Sequence, residues 1–382
     1  MPKTLAELQT PSLILDRQKM QRNIDRMAAR AKELGVPLRP HLKTPKSVHI
    51  AKHLQDAGAK GFNVSTLQEA EYFYEGGFDD LYYCVPFAPI KAARAAALAA
   101  KGCTLTLMTD SMEGVEACIA AAEAVGPATP LRFTLELDVD GYRCGMPWQG
   151  NDFIEAAQRL AASSATEFVG IMSYGGASYG KTPEGAAELT TTHLAALRDT
   201  ASRLEAAGVP CEMISFGSSP AVLHSKSMEG VTEARCGIYT FQDLFQAGIG
   251  ACAVDDIAVS VLTSVIARQP QHNRFVIDAG GMGLSKDRST MGHPFDAQYG
   301  LVCDSVTGKP IGDLAVTTVS QEIGLVTSLS GKEVDLSAFE VGSTVRVLPN
   351  HADMTAAAYE DYFVVDGDDQ IQAHWTRQNY WT

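Results

Sequence analysis

Six short stretches carry side chains whose types and spacing could do chemistry. The first, "VPLRPHLKTPK" (36–46), places Arg39, His41, Lys43 and Lys46 behind an apolar start. Read as a strand, its side chains alternate faces, so Val36, Leu38 and Leu42 share one side and Arg39, His41 and Lys43 the other. A partly desolvated lysine becomes a reactive amine, which makes Lys43 a candidate Schiff-base nucleophile. Lys46 lies past a Thr-Pro turn. The plainer alternative for Lys43 is a surface salt bridge. "DVDGYRCGM" (138–146) offers Arg143, either an anion contact or an ion pair with Asp138 or Asp140, and "SYGGASYG" (173–180) offers Tyr174, either an acid/base phenol or a packed aromatic. "SFGSSPA" (215–221) and "CGIYTF" (236–241) bring Gly217, Ser218, Ser219, Gly237, Ile238 and Tyr239. Glycines, hydroxyls and open N–H groups suit a phosphate dianion, and two ordinary turns are the alternative. "LPNHADMTAA" (348–357) sets His351 two residues before Asp353. On a strand that spacing puts an imidazole and a carboxylate on one face, suited to a divalent metal; a surface pair is the alternative.

These residues need a frame. Between 36 and 240 the sequence alternates candidate strands, beginning at 36–43, 60–65, 81–87, 103–109, 131–139, 168–174, 211–217 and 233–241, with Ala-rich amphipathic helices. That alternation implies a parallel sheet, and eight strands over this length match a (β/α)8 barrel. A doubly wound open sheet is disfavoured because no GxGxxG follows the first strand. In a barrel the chemistry gathers at the C-terminal strand ends, with phosphate near the loops after strands 7 and 8. Beyond about residue 256 the pattern becomes β-rich with turn signals and no convincing helix. The expected organisation is an α/β chain: a TIM barrel over 20–255, and a β domain built from 1–19 and 256–382 that carries the metal pair.

Composition narrows the partners. The 382 residues carry a net charge of −14, which disfavours nucleic acid and anionic membranes. The N-terminus "MPKTLAELQT" has no apolar core of the signal-peptide kind, and no window approaches a membrane span. Eight scattered cysteines without a CxxC pair fit reduced thiols in a cytoplasm.

Taken in order, "RPHLKTPK", "DVDGYRCG", "GVTEARCGIYTF" and "LPNHADMT" resemble the D-threonine aldolase and D-serine dehydratase family, and the similarity runs from "TPSLILD" (10–16) to "YFVVDG" (362–367). The resemblance implies the alanine-racemase type of fold (pyridoxal phosphate fold type III), a head-to-tail homodimer, Lys43 holding pyridoxal 5'-phosphate, and His351 with Asp353 holding a metal. It implies a lyase acting on D-3-hydroxy amino acids. Family aldolases carry Asp at the second metal position and Tyr at the place of Tyr174, where dehydratases usually have Cys and His. The main expectation is therefore retro-aldol cleavage to glycine and an aldehyde, with catalytic Lys43, Tyr174 and His351 and with His41, Arg143, Tyr174 and the phosphate segments at the cofactor. An oxygen ligand at 353 favours Mn²⁺ or Mg²⁺ over Zn²⁺. The first alternative is elimination from D-serine or D-threo-3-hydroxyaspartate to a 2-oxo acid and ammonia, which the surrounding sequence favours. An amino-acid racemase or a non-catalytic cofactor carrier comes second. Two positions depart from the family: Ile323 and Gly180 stand where His is usual.

Overall fold

The computed structural model describes residues 2–379 and 381. They form two compact units, one of residues 26–237 and the other of the chain up to Asp25 together with Ile238–Asn379.

In the first unit, seven strands pair side by side in parallel: Phe62–Val64, Asp80–Pro86, Thr104–Thr109, Leu131–Asp138, Thr166–Tyr174, Met213–Gly217 and Glu233–Ala234. The segment 36–42 closes the ring. Its Arg39 and His41 N–H groups donate to Ala234 and Cys236 carbonyls at 2.9 and 2.8 Å, and Leu42 N–H donates to Asn63 at 2.8 Å on the other side. This eighth stave is not the regular strand predicted over 36–43; it makes single bridges at Leu38 and His41 and then turns. Pro37 and Pro40 lack the N–H that a continuous ladder needs. Lys43 thus stands on a turn beyond the strand end. The helices read as the sequence suggests. Pro183–Ala206 begins with Pro at its first position and Thr182 accepting the Gly185 N–H, and it buries Ala186, Thr190, His193, Leu194, Leu197, Ala201 and Leu204 on one stripe.

The second unit is built on a closed antiparallel ring. Val259–Gln269, Thr344–Leu348, Leu301–Asp304, Pro310–Val319, Gly324–Ser328 and Arg274–Ile277 pair in that order, and the last returns to the first. Closure leaves no open edge in that ring. The long strand Val259–Gln269 also pairs with Ser12–Asp16, which carries Asp361–Val365 and then Ala373–Thr376. Two further expectations fail. The strand predicted over 233–241 ends at Ala234, and Ile238–Thr240 form a 3-10 turn. The β-rich region does hold helices, among them Gly281–Leu284 and Ala352–Ala356. Both are one turn long, too short for periodicity to reveal.

Candidate active site

Alternation along the barrel strands decides what faces inward. Leu131, Phe133, Leu135 and Leu137 share one face, so Thr134 and Glu136 share the other. Thr134 meets the Tyr82 hydroxyl at 2.5 Å inside the ring. At the C-terminal strand ends, cations converge on the His41 imidazole. His41 is held far below its ordinary value first by burial and then by the charges of Lys43, Arg235, Arg143 and Lys46. It stays neutral, and its Nδ1 accepts the Lys43 backbone N–H at 3.2 Å. Four cations bear on this one imidazole in a chain of net charge −14, surroundings suited to an anion although two of the four, Lys46 and Arg143, have carboxylate partners.

The two lysines of the first motif part company here. Lys46 places its ammonium 3.0 Å from Glu69, whose side chain is wholly buried. Lys43 is exposed on its turn, where an incoming molecule can reach its amine. Arg39, expected on the same face as His41 and Lys43, instead pairs with buried Glu233 (2.6 Å) and with Asp80 (2.8 Å). Buried carboxylates demand a cation, so Arg39 belongs to the frame. Arg143 pairs with neither Asp138 nor Asp140 but with Glu136 at 3.6 Å, and its guanidinium lies 4.5 Å from the centre of the Tyr174 ring. Burial raises the Tyr174 phenol despite Lys43 and Arg143, so it remains a neutral donor. Gly180 ends the 3-10 helix Gly176–Gly180 with open space where a Cβ would stand.

Where strand Met213–Gly217 ends, Ser218 caps the following helix by accepting the Ala221 N–H, and its hydroxyl meets Ser178 at 2.7 Å. The Ser219 hydroxyl is buried without a hydrogen-bond partner. Gly217 is required by close approach: a Cβ there would lie 2.1 Å from the Arg235 carbonyl oxygen, at φ +154°. A Cβ at Gly237 would lie 2.9 Å from the His41 Cβ. Ile238 and Tyr239 are buried in the turn that opens the second unit.

Arg235 was not singled out in the sequence, although a charge inside "EARCGIY" was the available signal. Its guanidinium is buried in the barrel, donating to the Ser173 carbonyl at 2.9 Å and to Cys84 Sγ at 3.4 Å, while its Nε has no partner. Leaving a buried donor unmet is costly. The orphaned Arg235 Nε and Ser219 Oγ, an accessible lysine and a cationic mouth together fit a phosphorylated aromatic aldehyde such as pyridoxal phosphate.

In the second unit, His351 and Asp353 do not alternate along a strand, as the spacing had suggested. His351 is the N-cap residue of Ala352–Ala356, and Asp353 lies in its first turn. The pair nevertheless shares one acidic environment. His351 Nδ1 meets Asp287 at 3.2 Å, and Asp243 is buried, accepting the Ala352 N–H at 3.0 Å. Burial disfavours the His351 imidazolium, but the Asp287 hydrogen bond and the charges of Asp353 and Asp243 outweigh it and push the group up to about 9. A field that favours a proton there favours a metal cation equally. With Nδ1 held by a carboxylate, Nε2 is left to ligate, the usual outer arrangement of a metal-bound histidine. Among the described residues no group of three or more His, Cys, Asp or Glu is arranged to hold a metal ion. Ile323 is exposed, in the turn before Gly324–Ser328.

Residues 15–244 match the family described as "Alanine racemase, N-terminal domain", and residues 258–365 that described as "Putative serine dehydratase domain". The chain is 38% identical to the D-threo-3-hydroxyaspartate dehydratase of Delftia sp. (strain HT23), covering 100% of both chains. It is 29% identical to a 3-hydroxy-D-aspartate aldolase of Paracoccus denitrificans (strain Pd 1222), over 97% of this chain and 92% of that one. The solved Delftia sp. HT23 dehydratase superposes with a TM-score of 0.94 at 37% identity, over 100% of each chain. A cysteine-to-alanine variant of the dehydratase, solved in the metal-free form, gives a TM-score of 0.93.

Proposed function

Because the chain belongs to the alanine-racemase-type family of pyridoxal phosphate enzymes, with a serine dehydratase domain following the barrel, we propose that it is a lyase that eliminates water from D-3-hydroxy amino acids, of which D-threo-3-hydroxyaspartate and D-serine are the leading candidates. The supporting observation is the unbroken 38% identity to a D-threo-3-hydroxyaspartate dehydratase along the whole of both chains. This reading reverses the order expected from Asp353 and Tyr174, which put aldol cleavage first.

Bound pyridoxal phosphate supplies an electron sink for charge that develops at the substrate α-carbon. Lys43, on its turn at the mouth, is the cofactor's lysine and the base that takes the α-proton. His41, kept neutral, holds the Lys43 backbone through its Nδ1 and so fixes the turn. Arg235, through its unpartnered Nε, and Ser219, through its unpartnered hydroxyl, would help hold the cofactor. Arg143 supplies positive charge for the substrate carboxylate. Tyr174 stays protonated and donates. His351 and Asp353 would hold a divalent cation, whose chemistry there is to polarise the substrate 3-hydroxyl. The oxygen ligand makes Mn²⁺ or Mg²⁺ the better fit.

Aldol cleavage is the second reading, because Asp353 stands where the dehydratases of the resemblance have cysteine. The two reactions begin at different protons. Elimination removes the α-proton, whereas aldol cleavage removes the hydroxyl proton and breaks the Cα–Cβ bond. Incubating the purified protein with pyridoxal phosphate, Mn²⁺ and a panel of D-3-hydroxy amino acids should release ammonia and a 2-oxo acid, more slowly from substrate deuterated at Cα. Glycine and an aldehyde, without that isotope effect, would establish the aldolase instead. Interconversion of D and L forms without cleavage would overturn both.

A further inference from the structure

The mechanism leaves one buried carboxylate at the mouth unused. Glu136, on Leu131–Asp138, is 1% exposed. Its Oε1 lies 3.6 Å from Arg143 Nη2, and its Oε2 accepts the Cys144 thiol at 2.9 Å. Arg143 itself is 46% exposed at the side chain, and its loop includes Gly141 and Gly145, both at positive φ. A half-exposed arginine on such a loop would ordinarily sample many rotamers. This one lies on the Tyr174 ring. We propose that Glu136 is the positioning residue for Arg143, a fixed buried charge that pins the guanidinium against Tyr174 beside Lys43. The Cys144 thiol occupies the second oxygen, so the carboxylate addresses Arg143 through the first. Leu137, Gly145 and the strand backbone leave little slack, since a Cβ at Gly145 would lie 2.5 Å from the Asp138 nitrogen.

Burial pushes the Glu136 carboxyl up, so its ionised form costs stability at neutral pH, and a glutamine of the same shape would spare that cost. A positioning role and a structural role therefore move the melting temperature in opposite directions.

The inference rests on the mouth being the cofactor and substrate site, and the experiment separates the two. Glu136→Gln, Arg143→Ala and the double variant are prepared in the full chain. Pyridoxal phosphate affinity is read by quenching of protein fluorescence, kcat and KM on D-threo-3-hydroxyaspartate, and melting temperature without cofactor. Glu136→Gln should lose at least tenfold in cofactor affinity or kcat/KM while melting no lower than the parent. The double variant should be no worse than Arg143→Ala alone. Glu136→Asp, which keeps the charge one methylene further back, should fall between parent and Glu136→Gln, and serves equally if the glutamine variant fails to fold. Undiminished function in Glu136→Gln, an additive loss in the double variant, or a lowered melting temperature that tracks the loss would overturn the role. If Arg143→Ala leaves affinity and turnover intact, the reading of the mouth itself fails.

Discussion

The lysine pair shows how far a residue's type carries and where its partners take over. Lys43 and Lys46 are three positions apart and equally basic, yet Lys46 is committed to a carboxylate that is wholly buried. Lys43→Ala should abolish the visible absorbance of the bound cofactor and leave the melting temperature nearly unchanged. Lys46→Ala should keep that absorbance but strand Glu69, at about 3–5 kcal/mol of unfolding free energy by urea titration. Loss of the chromophore in the Lys46 variant alone would reverse the assignment. At this scale the sequence singled out conspicuous side chains, and the structure brings three of them, Lys43, Arg143 and Tyr174, to one end of the barrel. Glu136 and Arg235 were less legible, although the inward position of Glu136 follows from the apolar residues flanking it on its strand. Arg39 was misplaced for a related reason: alternation gives its face, but only the fold reveals Glu233 and Asp80 waiting on that face.

Elements position these residues through contacts that local pattern does not encode. The 36–42 stave was recognised as extended, but its prolines break the ladder into two bridges, and this is what lifts Lys43 onto a turn. The glycines at the phosphate segments were read as room for a ligand. At Gly217 the constraint is backbone, the Arg235 carbonyl, and at Gly237 it is His41. Gly217→Ala should therefore lower stability by roughly 1–3 kcal/mol or more, whether or not cofactor is present, as overpacking does; a loss confined to cofactor affinity would restore the original reading. The helix Pro183–Ala206 contributes His193, whose ring bridges Ser173 (2.7 Å) and Asp140 (3.1 Å) and so ties two strand ends together. Burial lowers this imidazole below its ordinary value, against the pull of Asp140. The unfolded chain then takes up the proton first, so the His193 contribution is intact above about pH 6.5 and is lost as pH falls below it. Denaturant titrations should show the stability gap between the parent and His193→Gln narrowing over that acid range. A gap independent of pH would refute the neutral assignment.

At the scale of the whole molecule, the residues proposed for the chemistry divide between the units: Lys43 is on the barrel and the His351–Asp353 pair on the β unit. His351→Ala, or a chelator with the parent protein, should remove most turnover while leaving the absorbance of the barrel-bound cofactor in place. Mn²⁺ or Mg²⁺ should restore the chelated enzyme at least as well as Zn²⁺, and Asp353→Cys should tilt that preference toward Zn²⁺. Full turnover after exhaustive chelation would remove the metal from the mechanism. The division into a barrel and a β region was legible from periodicity, whereas closure of the β ring was not, because strand order is a property of pairing rather than of any segment. That pairing also has a temporal side. Ser12–Asp16, all five residues buried, lies between Val259–Gln269 and Asp361–Val365. On the ribosome the strand emerges ahead of the barrel, and both its partners emerge only after the barrel has been made. Until Val259–Gln269 follows, its Leu13, Ile14 and Leu15 have no native partner, a sticky edge that the nascent chain must keep from wrong pairings.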